Sequence, residues 1–370
     1  MTIPLRFCDS GRVAGPGGSC YGAAMHDRRT ALKGLGTLAA GALAFPAMAA
    51  AARPGFRKPP RLRPGDTVGL IEPAGFTDDS FDLQLVVETI AAMGLVPKPA
   101  PHLLARYGYL AGKDEARAAD VNAMFGDRGV RAIFAVRGGW GCARILPHLD
   151  FGLIGANPKL LVGFSDITAL HLALAAKCGF TTIHGPNASS AWGELSLTAF
   201  RTLAFDAGTP TYTTPEGTED RLVQRSGRTR TLRPGKASGP LLGGNLTVLS
   251  ALMGTPYLPS FDGAILFLED TNEAEYRIDR MLTQLALGGV LRRVAGVVFG
   301  QCTDCRADGP SYGGFTLSEV LAQHLGPLGV PAFQGALFGH IPNQFSLPVG
   351  TRAEIDSAAG TIRILEPAVA

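Results

Sequence analysis

Apolar positions over residues 65–205 form short unbroken runs that alternate with stretches of helical spacing. TVGLIEP (67–73), VRAIFAVRGG (130–139), KLLVGFSD (159–166) and TTIHGP (181–186) are the runs, and their continuous apolar character predicts strands buried on both faces. Between them, DLQLVVETIAAMGL (82–95), KDEARAADVNAMFGD (113–127) and ITALHLALAAKCGF (167–180) space apolar residues three to four apart, which predicts helices. Gly94 and Gly179 sit where two of these helices should stop. ARILPHLD (143–150) reads as a short helix interrupted by Pro147. Strand, helix, strand in repetition predicts an α/β fold: a parallel sheet with helices on both faces, here over residues 62–207.

The pattern changes after that. Residues 208–240 are rich in Thr, Gly, Pro and Arg without apolar periodicity, which predicts a connector holding a short β-hairpin. A second, smaller α/β unit follows over 241–370. It has strands at AILFLED (264–270), AGVVFG (295–300) and VPAFQGALFGH (330–340), and helices at EYRIDRMLTQLALGGVLRRV (275–294) and FTLSEVLAQHLGPLG (315–329). RAEIDSAAGTIRILEP (352–367) alternates about Ala359-Gly360 and predicts a closing hairpin.

Residues 1–49 follow neither pattern. Arg28-Arg29 precede Leu32-Lys33, a short apolar stretch from Gly34 to Ala44, and the small-x-small tripeptide Ala47-Met48-Ala49. This is the layout of a twin-arginine export signal with a cleavage site, and it predicts a periplasmic protein with no membrane anchor once the signal is removed. The Arg pair stands far from residue 1, so Met25 is the expected start and residues 1–24 are expected not to be translated. The leader also changes the charge arithmetic. The chain has 34 Lys plus Arg against 31 Asp plus Glu. Removing Arg6, Arg12, Arg28, Arg29 and Lys33 with Asp9 and Asp27 leaves 29 of each sign, so no nucleic-acid partner is implied. With 46% hydrophobic and 18% charged residues, a disordered chain is excluded. Cys142, Cys178, Cys302 and Cys305 lie beyond the leader. The Cys302-x-x-Cys305 pair suits inert thiols or a local disulfide, since no second ligand pair at zinc spacing accompanies it.

In open α/β sheets ligands gather beyond the carboxyl ends of strands. Glu72, Arg137 to Gly141, Ser165-Asp166, His184, Glu269-Asp270 and His340 hold such places. Ser165, between an apolar strand and a helix, suits a nucleophile elbow, although Ile167 departs from the full Gly-x-Ser-x-Gly pattern. The same Ser would equally serve as a helix N-cap. Glu269 ends an apolar strand and needs a partner for its carboxylate, whereas Asp270 suits a cap for the next helix. His340 is a candidate base, and Ser, acid, His is one of the chain orders seen in catalytic triads. Arg137-Gly-Gly-Trp-Gly141 lets a ligand approach the backbone closely, but it has neither the dinucleotide nor the Walker A spacing. No cofactor is expected.

RGGWGCARILPHLDF, NPKLLVGFSDITALHLAL, HGPN, GPLLGGNLTVLSALMGTPYLP, AILFLEDTNEAEYRIDRMLTQL and GHIPNQFSLPVG occur in the order in which similar motifs stand in the LD-carboxypeptidase family. This serine peptidase group includes the muramoyl-tetrapeptide carboxypeptidases and the microcin C immunity peptidases, and the resemblance spans about residues 62–365. It implies a first domain similar to class I glutamine amidotransferases, a homodimer, and a Ser165–His340–Glu269 triad. It further implies oxyanion donors at the amides of Asp166 and of Gly139 or Gly138, and a murein tetrapeptide substrate that loses its terminal D-Ala. Arg137 is a candidate for the substrate carboxylate, and Trp140 is a second substrate-binding candidate. Two other readings are kept: an immunity-type peptidase, for which Trp140 or Trp192 would stack a nucleobase, and a non-catalytic periplasmic murein-peptide-binding protein. Glu72 stands where the family tends to have Ala, either reshaping the site or serving as a paired structural carboxylate.

Overall fold

The computed structural model describes residues 55–370 apart from 216–221, 225–226 and 307–313; the expected export signal and start site lie outside the described residues. The first half of the chain runs β1 (Thr67–Ile71), α1 (Ser80–Ala92), β2 (Val96–Pro99), α2 (Asp114–Gly126), β3 (Ala132–Ala135), α3 (Cys142–Ile145), α4 (Phe151–Ala156), β4 (Leu160–Gly163), α5 (Thr168–Lys177), β5 (Thr182–His184) and α6 (Glu194–Ala204). All of β3 and β4 is buried, as their unbroken apolar runs require in a sheet covered on both faces. Each fully covered Leu or Val side chain of these strands contributes about 2 kcal/mol of hydrophobic stabilisation. Asp79 caps α1, its carboxylate accepting from the amides of Phe81 and Asp82.

The second half runs β6 (Thr211–Thr213), β7 (Arg230–Arg233), β8 (Lys236–Asn245), α7 (Leu246–Ala251), β9 (Ile265–Thr271), α8 (Glu275–Leu287), β10 (Gly296–Thr303), α9 (Leu317–Leu325), β11 (Ala332–Gln334), β12 (Leu347–Val349), β13 (Arg352–Asp356) and β14 (Thr361–Ile364). The fold is α/β, built on two sheets. The first has the order β12-β5-β4-β3-β1-β2 and is parallel except for β12; the second has the order β6-β14-β13-β8-β9-β10-β11-β7, with β8 to β11 parallel.

Three features depart from the sequence expectations. The hairpin expected in the connector does not form among the described residues, because β6 and β7 take opposite edges of the second sheet and β7 pairs with β11 instead. Helices α6 and α7 have no counterpart in the expected elements, and α7 follows a strand, β8, that starts inside the expected connector. Finally, β12 comes from the C-terminal part of the chain yet completes the first sheet, pairing Leu347 with His184. The closing hairpin is present, as β13 pairs antiparallel with β14.

Helix α5 is the seam between the two halves. Residues Thr168 to Ala175 are all buried, which is why this helix is apolar on every side. It packs against β5 on one side and against α7 and β8 on the other. Thr168 Oγ1 accepts the amide of Asn245 at 2.9 Å. A Cβ on Gly244 would lie 2.4 Å from that hydroxyl, so only glycine lets β8 come this close. The carboxyl ends of β4 and β9 thereby converge.

Candidate active site

Ser165 lies directly after β4, in a short 3-10 turn (Ser165–Ile167) that leads into α5. Its φ is +65°, a left-handed conformation that a non-glycine residue adopts at a cost of about 1–2 kcal/mol. This sharp turn lifts Oγ off the sheet. The hydroxyl caps no helix, since neither the turn nor α5 has a side-chain cap. It stands instead 2.9 Å from His340 Nε2. The other ring nitrogen, Nδ1, is 2.7 Å from Glu269 Oε2. The strand expected over 330–340 is only β11, which ends at Gln334, so His340 stands in the loop beyond it rather than at a strand end. Ser165 just after β4, Glu269 near the end of β9 and His340 in that loop thus form one hydrogen-bonded chain.

Surrounding groups hold each member. His171 is fully buried, donates Nε2–H to the Gly163 carbonyl at 2.8 Å and accepts the Thr182 hydroxyl at Nδ1. Burial drives its pKa down to about 4, so the ring stays neutral and the elbow keeps its support. The Asp166 carboxylate accepts the amide of Cys142 at 2.8 Å, tying the elbow to the glycine turn at 137–141; burial raises its pKa. The Thr303 hydroxyl donates to the His340 carbonyl at 2.8 Å. Thr303 lies within a Cys302–Cys305 disulfide at the end of β10. Glu269 is completely buried, and its Oε1 has no hydrogen-bond partner among the described residues. Burial opposes charge on His340, but the hydrogen bond and charge of Glu269, with the charge of Asp270, raise its pKa above the ordinary value.

Asp270 caps a helix, though not the one that follows it. Its carboxylate accepts the Thr247 amide at 2.9 Å in the first turn of α7 and the Asn245 side-chain amide at 3.0 Å. Burial, then the neighbouring charge of Glu269, push its pKa to about 6.

A cavity of about 510 Å³ opens over Ser165 and His340, with Arg137, Gly138 and Gly139 on its wall. A Cβ on Gly138 would lie 2.9 Å from Ser165 Cβ, so glycine is required for the turn to come this near Ser165. Among the described residues the amides of Gly138 and Gly139 donate no hydrogen bond, while the Gly138 carbonyl accepts Gly75 N–H at 3.2 Å. Unengaged backbone donors beside a serine hydroxyl suit a developing oxyanion. Arg137 donates Nη1–H to the Phe76 carbonyl at 2.8 Å and keeps the rest of its guanidinium for the cavity. Trp140 is 67% exposed and does not line the cavity. Trp192 is buried against Phe134 and Phe200, with its indole N–H on the Asn187 carbonyl. Glu72 is the paired structural carboxylate: Oε1 accepts the Thr77 amide at 2.8 Å and the Thr77 hydroxyl, and Oε2 the Leu104 amide at 3.1 Å. Among the described residues no group of three or more His, Cys, Asp or Glu side chains is placed to hold a metal.

His171, Thr303 and Arg117 are supports that sequence reasoning missed. Arg117 is buried and reaches the carbonyls of Pro73 and Gly141, joining the turns that follow β1 and β3. A charged residue on the apolar face of α2, beside Ala118, Val121 and Phe125, was its one sequence signal.

Comparison with known proteins gives the family. Residues 68–185 match the LD-carboxypeptidase N-terminal domain and residues 238–355 the LD-carboxypeptidase C-terminal domain. The chain belongs to the LD-carboxypeptidase family. Within that family it is 36% identical to a probable murein peptide carboxypeptidase of Bacillus subtilis, over 82% of this chain and 93% of the relative. It is 29% identical to the microcin C7 self-immunity protein MccF of Escherichia coli, over 70% of this chain and 80% of the relative. The solved muramoyltetrapeptide carboxypeptidase of Oxalobacter formigenes superposes with a TM-score of 0.69 at 29% identity, covering 80% of this chain and 97% of that one. Family membership makes the chain a carboxypeptidase-type hydrolase.

Proposed function

We propose that the protein is a serine-type LD-carboxypeptidase that removes the terminal D-Ala from murein tetrapeptides through an acyl-enzyme. The observation that carries this reading is the unbroken link from Ser165 Oγ through His340 to Glu269, with contacts of 2.9 and 2.7 Å. Ser165 attacks the scissile carbonyl while His340 Nε2 takes its proton, and Glu269 stabilises the imidazolium that forms. The amides of Gly138 or Gly139 and of Asp166 receive the oxyanion, each donor contributing about 3 kcal/mol. His340 then returns the proton to the departing D-Ala nitrogen, and water activated by the same imidazole releases the shortened peptide. Arg137 receives the D-Ala carboxylate.

Export by a twin-arginine signal and a homodimeric state belong to the same proposal. Exported enzyme would meet stems of the sacculus or soluble turnover fragments. A non-catalytic binding protein is disfavoured, because binding alone has no use for a serine held in a left-handed turn against a histidine. The immunity-type reading has support from the similarity to MccF, while neither tryptophan offers a stacking surface on the cavity wall. Mass spectrometry of muropeptides incubated with the enzyme tests the proposal: loss of one Ala from tetrapeptides, absent in Ser165→Ala, is expected. Cleavage of an aminoacyl-sulfamoyl adenosine with tetrapeptides left intact would favour the immunity reading instead.

A further inference from the structure

Two opposite charges on the cavity wall have no counter-ion among the described residues. Asp82 and Arg137 both line the cavity beside Ser165. Asp82 stands in the first turn of α1, and among the described residues its carboxylate has neither an ion pair nor a hydrogen bond. Among the described residues the Arg137 guanidinium donates only to a backbone carbonyl, that of Phe76. Asp78, the other carboxylate on the wall, differs, because Arg106 Nη2 lies 4.0 Å from it. Thr77, Asn187, Ser189 and Ser190 complete the polar lining and carry no charge.

Helix α1 turns Asp82, Leu85, Val86 and Thr89 toward the cavity. These positions follow one another by three, one and three residues, a single stripe on the helix. At about 1.5 Å of rise per residue the stripe is about 10 Å long, with the carboxylate at one end and apolar surface in its middle. Leu85 remains 46% exposed although it borders the cavity, so the protein leaves that apolar surface for something else to cover. With Arg137, next to Gly138, given to the terminal carboxylate, the α1 wall remains for the residue that precedes it.

Resting on the reading of Ser165 as a peptidase nucleophile, we propose that Asp82 selects substrates whose residue on the acyl side of the scissile bond has an aliphatic side chain ending in an ammonium. The methylenes lie on Leu85 and Val86, and the ammonium pairs with Asp82. The cavity thereby reads a zwitterionic peptide end, cation at α1 and carboxylate at Arg137. Asp82 is a specificity residue and takes no part in bond breaking.

The test compares the full chain with its Asp82→Asn and Asp82→Glu variants on two tetrapeptides, L-Ala-γ-D-Glu-L-Lys-D-Ala and the same peptide with Nε-acetyl-lysine. Affinity for both peptides is measured in parallel by calorimetry on Ser165→Ala forms. The unaltered enzyme should favour the free amine by about fivefold in kcat/KM, the effect of a partly exposed ion pair. In Asp82→Asn the ratio should fall to within about twofold of one, through KM rather than kcat, and Asp82→Glu should retain the preference. An unaltered ratio in Asp82→Asn, or no preference in the parent enzyme, overturns the proposal while the peptidase reading stands. If neither peptide is cleaved, the peptidase reading fails and the calorimetric ratio alone decides the role of Asp82.

Discussion

Glu269→Gln removes one charge from the proposed triad and almost no volume. Glu269 Oε2 sits 2.7 Å from His340 Nδ1, and Oε1 is buried with no partner among the described residues. A glutamine must put its NH2 group at one of these two places. At the Oε1 place the NH2 has no acceptor, which costs about 1–3 kcal/mol. Pointing the NH2 at Nδ1 avoids that cost, but it turns Nδ1 into an acceptor and moves the ring proton to Nε2. Nε2 then faces Ser165 Oγ as a donor and cannot take its proton. A triad forced into the wrong tautomer loses about 10⁴-fold in kcat. The alternative orientation forfeits only the difference between a charge-assisted and a neutral hydrogen bond, about 1–2 kcal/mol or roughly tenfold. The buried, partnerless Oε1 place favours the orientation with the NH2 facing Nδ1, so the expected loss is about 10³ to 10⁴-fold in kcat with KM within about threefold. The residual activity has a second signature. His340 acts as base only when neutral, and Glu269 raises its pKa, so activity is lost on the acid side as pH falls through that raised pKa. Without the carboxylate, burial prevails and the acid limb moves to lower pH. Release of D-Ala from tetrapeptide, followed against pH with purified variant, reads both quantities. A loss below tenfold with an unmoved acid limb would refute the reasoning.

Three further outcomes are expected. Ser165→Ala should reduce D-Ala release by about 10⁶-fold without lowering the melting temperature, and combining it with Glu269→Gln should add nothing, because groups that act as one unit are not additive. Gly138→Ala should lower kcat by about 10² to 10³-fold, since the new Cβ would lie 2.9 Å from Ser165 Cβ and push the nucleophile from the oxyanion donors; steady-state kinetics at near-native activity would contradict this. Stability should fall as pH drops from about 6.5 to 4, because buried His171 has its pKa lowered to about 4 and binds its proton only when unfolded. The single group contributes about 3 kcal/mol over that window, His184 acts in the same direction, and urea midpoints that stay flat from pH 7 to 4 would count against it.

The candidate site was legible to different depths. Ser165 was visible as a strand-to-helix serine, but its left-handed φ, which separates an elbow from a cap, is a property of the folded backbone. Asp270 was read as a cap for the helix after it, and it caps α7, because the nearest free amides in space belong to the element beside β9 rather than the next one in sequence. Trp140 drew attention by its place in the glycine turn, yet it is exposed and does not line the cavity. His171 gave no signal, as a histidine inside an apolar helix reads as core until its two partners are seen.

By itself the sequence determined the α/β class, four of the six strands of the first sheet (β1, β3, β4 and β5), and the motifs that mark the LD-carboxypeptidase family. Those are local quantities: apolar period, cap and turn residues, and short ordered patterns. Tertiary structure decided what lies between distant segments. It carried β12 back to the first sheet, separated β6 from β7, and brought Ser165, Glu269 and His340 within hydrogen-bonding reach. It also turned one face of α1 into a wall of the same cavity. The physical reason is that which strand edge a segment pairs with, and which carboxylate is left without a counter-ion, depend on packing across the whole chain and have no period to read.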